Sequence, residues 1–393
     1  MARLIEITGK ALSGEWGTDD ETGEGIPVLR TTNFTNEGVV NYNDVVTRKI
    51  TKKNINDKFL RKGDIIIEKS GGSDKFPVGR VIYFDGVENT YLFNNFTGLL
   101  RVKDREVWYP RYIFYSLYAN YKRGGTRSFE NKTTGLHNLK TDTYVEQFEV
   151  GEKSKKEQVS ICNKLDKLHD VMKLREQELQ MLNDLIKARF VEMFGDESNP
   201  MGWPVLNVED VASVSVGVVI KPAQYYTDAE HGTRAFRSLN IGPMKIKNTD
   251  WVYFSEEGNE KNSKSILKEN DLIIVRSGAP GIACVVTKEY EGCNAIDIII
   301  AHPDTSKVNP YYLCVYTNLP HGKRQIDEGT GGAAQQHFNV GKYNKLSLFL
   351  PPVEMQNEYV KFLDQVDKSK VVVQKALDET QILFNSLMQQ YFG

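Results

Sequence analysis

The stretch Leu60–Gly72, LRKGDIIIEKSGG, returns further along as Leu267–Ala279, LKENDLIIVRSGA, with Asp64/Asp271, Lys69/Arg276, Ser70/Ser277 and Gly71/Gly278 in register. A polar turn, an Asp, a β-branched run and a basic-Ser-Gly exit read as a short strand leaving a tight turn. Upstream, Gly25–Asn33 (GIPVLRTTN) answers Gly232–Asn240 (GTRAFRSLN), aligning Arg30 with Arg237 and Asn33 with Asn240. Both blocks keep one separation, 271 − 64 and 240 − 33, or 207 residues. Two blocks in one register mark a duplicated unit. Tyr109–Tyr121 (YPRYIFYSLYANY) likewise answers Asn309–His321 (NPYYLCVYTNLPH) at 310 − 110, or 200, residues. Each is aromatic-rich behind a Pro, which suits the first turn of a helix.

Two long charged segments repeat as well. Glu157–Gly195 carries apolar residues at Ile161, Leu165, Leu168, Met172, Leu179, Leu182, Ile186 and Met193. Near the C-terminus the same rhythm runs through Tyr359, Leu363, Val366, Val373, Leu377, Phe384, Leu387 and Tyr391. Spacings alternate between three and four, and the segments end at Phe194-Gly195 and Phe392-Gly393. Subtracting 392 − 194, or 198, lays every position of the second seam on one of the first, with gaps at Arg175, Arg189, Lys370 and Thr380. Uninterrupted by Pro or internal Gly, this pattern predicts a coiled coil. Helices of about 40 residues would each span roughly 60 Å. Two independent surface helices are the plainer alternative.

Within each globular part, Asp64–Glu68, Val78–Phe84, Asp271–Val275 and Ile282–Thr287 read as strands, and the acidic loops Gly14–Gly25 and Thr227–Gly232 as exposed. The predicted fold class is α+β, with two repeated globular domains separated by two long coiled-coil helices. The boundaries fall at 1–150, 151–195, 196–350 and 351–393.

Composition narrows the functional classes. The chain has 393 residues, 40 % hydrophobic and 26 % charged, with a mean hydropathy of −0.44, as in globular proteins. Fifty Lys+Arg against 52 Asp+Glu give a net charge of −2, which excludes binding by bulk positive charge but not through a local basic face. No run of about 18 apolar residues appears, so no membrane span is expected. The start, MARLIEITGKALSGEW, lacks an apolar signal core, so a cytoplasmic protein is expected. Cys162, Cys284, Cys293 and Cys314 are scattered, which predicts buried reduced thiols rather than zinc ligands or disulfides.

No motif of the chain makes a convincing catalytic candidate. Asn309-Pro310-Tyr311-Tyr312 approaches the box that adenine methylation uses, yet its counterpart Tyr109-Pro110-Arg111-Tyr112 lacks the Asn. Glu68, a carboxylate candidate for a nuclease, becomes Val275 in the second copy, and Asp64 and Asp271 read as turn residues. Gly329-Thr330-Gly331-Gly332 lacks the G-K-[ST] ending of a phosphate loop. No catalytic residue, metal or cofactor is expected. Binding reads better. Arg30, Thr31, Thr32 and Asn33, with Arg237, Ser238 and Asn240, pair a guanidinium and a carboxamide in both copies. Lys69, Ser70 and Gly71, with Arg276, Ser277 and Gly278, pair a cation, a hydroxyl and permissive backbone. Arg suits guanine edges and phosphate, Asn suits adenine, and Ser with open backbone suits phosphate. Arg127, in Gly124–Ser128, and Lys323-Arg324 form a third basic cluster. These residues could equally be capping or salt-bridged turn residues, and spacing alone leaves both open.

The order of IPVLRTTNFTNEG, GDIIIEKSGG with its PVGRV, YPRYIF and a helix ending FVEMFGD resembles the first half of the DNA-specificity subunit of type I restriction–modification systems. RSLNIG, NDLIIVRSGAPG, LPPVEMQNEYVKFLD and the last helix resemble the second half, so the likeness spans the chain. It implies two target recognition domains, each reading half of a bipartite double-stranded DNA site. It also implies antiparallel helices acting as the spacer, two methyltransferase subunits docked on them, and restriction–motor subunits in the larger complex. The chain departs from a strict repeat in lacking, at its start, the Trp203-Pro204 entry of the second unit, and in replacing Thr31-Thr32 by Ser238-Leu239. Competing classes are a stand-alone DNA-modifying enzyme (adenine methyltransferase or nuclease) and a coiled-coil protein scaffold.

Overall fold

Contacts divide the chain into a first unit, Met1–Glu176 with Lys375–Gly393, and a second, Gln177–Gln374, so each takes half of both long helices. The computed structural model describes residues 1–133, 136–329 and 338–393.

In the first unit the decisive strand, Ile65–Glu68, is central in a four-stranded antiparallel sheet, between Thr97–Leu100 and Val81–Tyr83, with Leu12–Ser13 at the far edge. Its side chains alternate between two cores. Ile65 and Ile67 pack with the aromatic helix Pro110–Lys122, and Ile66 packs with Leu29, Phe34, Leu60, Phe84 and Phe93. Burial on both faces explains an unbroken apolar run where a half-exposed strand would alternate. A second sheet pairs Ile26–Leu29 antiparallel to Val46–Lys49 and parallel to Leu92–Phe93, and a short strand, Thr18–Asp19, lies within the acidic loop segment.

The second unit repeats this topology. Leu272–Val275 lies between Ile298–Pro303 and Ala283–Val285, with Ala212–Val216 outside. Leu272 and Ile274 face one core, Ile273 and Val275 another. Thr233–Phe236 pairs antiparallel to Val252–Phe254 and parallel to Asn294–Ala295. The expected aromatic helix is Pro310–Asn318, with Pro at its start.

The central helix, Lys155–Phe194, and the C-terminal helix, Val353–Phe392, are 40 residues each. In the first unit Lys164 Nζ lies 3.3 Å from Tyr391 Oη, and in the second Tyr359 Oη donates to the Ile186 carbonyl at 2.9 Å. In the first unit Ile161 and Lys164 lie near Tyr391 while Met172 lies near Phe384, so the helices run antiparallel there. Ile161, Leu165, Met172, Ile186, Tyr359, Leu363, Val366, Val373 and Phe384 are buried. Leu168, Leu377, Leu387 and Tyr391 pack on the first core and Leu182 on the second, while Leu179 is half-buried.

Aromatic rings join each globular part to its helix ends. Tyr112 meets Phe392 at 5.1 Å between centroids in the first unit, and Tyr312 meets Phe194 at 5.0 Å in the second. A buried amide reinforces each joint. Gln158 Oε1 accepts the Tyr109 N–H at 2.8 Å while Nε2 donates to the Val107 and Lys153 carbonyls. Gln356, 198 residues on, accepts from Asn309 N–H at 2.7 Å and donates to the Lys307 and Pro351 carbonyls. Each satisfies the orphan groups of a Pro-started helix entrance from the long helix beside it.

Among the described residues no helix is long and apolar enough to cross a membrane. The four cysteines are free and buried, and burial pushes the thiols up, Cys162 and Cys284 to about 12 and Cys293 to about 11.

Gln158→Ala or Gln356→Ala should cost about 1–3 kcal/mol, because a buried donor and two carbonyls lose their partner. Leu174→Ala, on the exposed helix surface, should stay within about 0.5 kcal/mol. Urea melts of the three variants read the contrast.

Candidate nucleic-acid interface

Three turns in each unit carry the polar residues singled out from the sequence. In the first, strand Ile26–Leu29 runs into the 3-10 turn Thr31–Asn33. Asn33 is buried: Oδ1 accepts the Arg30 N–H at 2.8 Å, and Nδ2 donates to the Asn41 and Asp44 carbonyls at 3.0 and 2.9 Å. Asn240 does the same, accepting from Arg237 N–H at 2.9 Å and donating to the Thr249 carbonyl at 2.6 Å. Both amides brace their turns. The guanidinium groups lie at the rim, where Arg30 Nη2 meets the Asp44 carboxylate at 2.8 Å and Arg237 Nη2 donates to the Asp250 carbonyl. Thr32 is exposed, and Thr31 and Ser238 are half-buried.

The second turn leaves the central strand. Lys69 Nζ donates to Ser13 Oγ at 2.9 Å, and partial burial lowers its pKa, with Lys58 adding to the effect and Asp142 opposing it. Gly278, at φ +87°, has open space where a side chain would stand, so that turn presents the bare backbone expected from the sequence. In the first unit Ser70–Gly72 is instead a short strand paired antiparallel with Leu136–Leu139, and a Cβ on Gly71 would stand 3.1 Å from Glu68 Oε1. Arg276 Nη1 meets the Asp297 carboxylate at 2.5 Å. Asp64 and Asp271 hold the preceding turns: each carboxylate accepts a backbone N–H, from Arg61 at 2.8 Å and from Lys268 at 2.7 Å.

The third segment follows the aromatic helix and is brought onto the second turn in both units. Arg127 Nη2 donates to the Asp74 carbonyl at 3.2 Å, and Lys323 Nζ to the Pro280 carbonyl at 2.6 Å. Glycines allow the approach, since a Cβ on Gly79 would stand 2.7 Å from Thr126 Cγ2 and one on Gly281 2.6 Å from Ile326 Cδ1. Arg324 instead turns to the Glu197 carboxylate. Of the glycine run after the second aromatic helix, Thr330–Gly332 lie outside the described residues.

Several working residues were not singled out from the sequence. Arg80 donates to the Phe34 and Thr31 carbonyls at 2.9 Å and reaches Glu68 at 3.3 Å, tying the first turn to the end of the central strand. Burial raises the Glu68 pKa and Arg80 opposes that rise. Arg80 sits in the PVGRV segment, but the equivalent position of the second unit is Ile282, so the repeat gave no signal for it. Asp44 and Asp297 carried no such signal, because a partner 14 or 21 residues away is set by tertiary folding. Among the described residues no group of His, Cys, Asp and Glu could hold a metal ion.

The family described as type I restriction modification DNA specificity domain matches residues 4–184 and again residues 200–380. The chain belongs to this family. It is a DNA-specificity subunit, non-catalytic in kind. Two solved structures share its fold over 100 % of its length. One is the S subunit of a type I restriction–modification system from M. genitalium (15 % identity, TM-score 0.59, 95 % of that chain covered). The other comes from a study of complex assembly and conformational transition of the type I R-M system (16 % identity, TM-score 0.61, 96 % covered). The family match fits the duplicated turns, 207 residues apart, that the specificity subunit carries.

Asn33→Ala and Asn240→Ala should each destabilise their own unit by about 1–3 kcal/mol, since buried backbone groups lose their partners. Thr32→Ala should be near neutral by the same thermal melt.

Proposed function

We propose that the chain reads a bipartite double-stranded DNA site, one half per recognition domain, with residues 1–150 and 196–350 as the readers. Residues 151–195 and 351–393 act as the spacer that sets the distance between half-sites. The observation that carries this reading is one bracing framework built twice with its rim cations held by different partners. Lys69 and Arg276 occupy the same repeat position, as do Arg30 and Arg237, while the buried Asn and Asp beneath them do not change. Equal frames with unequal rims suit two readers of different sequences.

The residues offered to DNA are Arg30, Thr31, Thr32, Lys69, Ser70, Gly71 and Arg127 in one reader. In the other they are Arg237, Ser238, Arg276, Ser277, Gly278, Lys323 and Arg324. Asn33 and Asn240 serve this surface by holding Arg30 and Arg237 in place. With a net charge of −2, affinity comes from these local cations and falls with salt. Tethering two modest readers on a stiff spacer raises the effective concentration of the second and makes spacing part of specificity.

Two methyltransferase subunits dock on the helices, and restriction–motor subunits join the larger complex, in the cytoplasm. The support is a second apolar stripe on the long helices, facing away from the seam. Leu174 and Leu185 are exposed, and so are Val372 and Leu383, each 198 residues on. One stripe present twice suits two copies of one partner, and exposed apolar stripes of this kind mark interaction sites.

Arg30→Ala or Lys69→Ala should weaken or relax one half-site, and Arg237→Ala or Arg276→Ala the other. A side chain making a bidentate base contact should cost about 1–3 kcal/mol at one position. A heptad inserted in both helices adds roughly 10 Å, and should widen the tolerated spacer with both half-site sequences intact. Methylome sequencing of cells carrying the chain with its methyltransferase subunits reads every outcome. An altered half-site with an unaltered spacer after the insertion would reject this division of labour.

A further inference from the structure

We propose that Arg30 with Asp44, and Arg276 with Asp297, are base-reading pairs, each presenting a guanidinium to guanine and a carboxylate to cytosine. The inference rests on the DNA-reading role above and names the base chemistry each half-site contains.

Both acids stand further out than the arginines they hold. The Asp44 side chain is 81 % exposed against 25 % for Arg30, and Asp297 is 41 % exposed against 23 % for Arg276. Neither acid is on a loose tether. The Asp44 carbonyl accepts from the bracing amide of Asn33 at 2.9 Å and from Arg30 Nη2 at 3.1 Å. Asp297 sits at φ +48°, its N–H donating to the Val218 carbonyl at 3.2 Å, and the preceding Ile296 N–H donates to Phe236 at 2.8 Å. Ile298, next to Asp297, pairs with Val275, next to Arg276, so each carboxylate is placed by the framework that places its arginine.

Stability does not explain the arrangement, because a rim ion pair contributes about 0–1 kcal/mol. Phosphate binding does not explain it either. A fixed carboxylate beside the guanidinium repels a phosphate and lessens the counterion release that drives such contacts. Base reading uses both groups. Arg donates to guanine O6 and N7, an Asp carboxylate accepts from cytosine N4, and a G·C pair offers both in the major groove. The acid also holds the guanidinium in one orientation before DNA arrives, so less freedom is lost on contact.

The other two cations of the first and second turns differ. Lys69, at the repeat position of Arg276, is held by the Ser13 hydroxyl, and Arg237, at that of Arg30, by a backbone carbonyl. Of these two turns, the first carries the acid-held arginine in one reader and the second in the other, while Arg324 on the third segment pairs with Glu197. The G·C pair read from these two turns should fall at different places in the two half-sites, with Lys69 and Arg237 left to phosphate.

The test uses the full chain with its methyltransferase subunits and compares the native protein with Asp297→Asn and Asp44→Asn. Asn keeps the shape and tolerates the left-handed backbone at 297. In the native methylome each half-site should hold a G·C pair. Asp297→Asn should relax discrimination at one such pair about 5- to 100-fold in one half-site, and Asp44→Asn in the other. Binding of random-sequence DNA should strengthen in both variants, with a salt slope steeper by roughly one. Tighter binding of all sequences with base preference unchanged would overturn the pairing and make the arginines phosphate contacts. A drop in melting temperature alone would make the acids braces and overturn it too. No bipartite motif from the native protein would instead overturn the DNA-reading role beneath it.

Discussion

A single buried amide on each long helix carries more of this structure than its size suggests. Gln158 and Gln356 have no exposed surface, and each makes two hydrogen bonds to backbone groups at the entrance of an aromatic helix and a third to the carbonyl just before its own long helix. A Pro-started helix packed on another helix would otherwise bury unpaired carbonyls and an N–H where water cannot reach them. With that joint satisfied, the aromatic rings close over it. The aromatic helix then lies against the central strand, and the strand delivers its basic turn to a defined place. The position of each rim cation relative to the helices of its own unit follows from this chain of contacts.

The two units show which parts of the design tolerate change. Asn33/Asn240, Asp64/Asp271 and Gln158/Gln356 are identical in both, and all six are buried with backbone partners. Replacing any of them strands a polar group in a low-dielectric interior. At the rim Lys69 for Arg276 is accommodated by different local partners, and beneath it the buried position of Glu68 and Val275 changes together with its neighbour. Glu68 finds Arg80, whereas Val275 needs none. One scaffold can present different chemistry to a ligand at little cost in stability.

Much of the fold was legible because periodicity is a one-dimensional signal. The 3-4 rhythm of the helices, the β-branched runs at Ile65–Glu68 and Leu272–Val275, and the Pro-started aromatic helices all emerge in place. The polar site was legible only as spacing. Arg-x-x-Asn announces that the two residues act together, and leaves open whether the amide faces a base or its own turn. Deciding that requires the carbonyls of Asn41, Asp44 and Thr249, which the fold brings back. Gln158 and Gln356 stayed hidden for a related reason, since a Gln in a charged helix looks like part of its solvated face. Their shared offset was the one trace they left.

The buried cysteines have a practical side. At neutral pH thiols titrating near 11 to 12 expose a thiolate fraction on the order of 10⁻⁴ or less, and the apolar interior shields what remains. The native chain therefore offers a quiet chemical background, in which a cysteine introduced at a solvent-facing position such as Ser128 or Leu174 becomes the fast-reacting handle. Fluorophores or spin labels can be attached there without first stripping the natural sulfur atoms from the cores, and distances can be followed in a protein whose packing is left as it was.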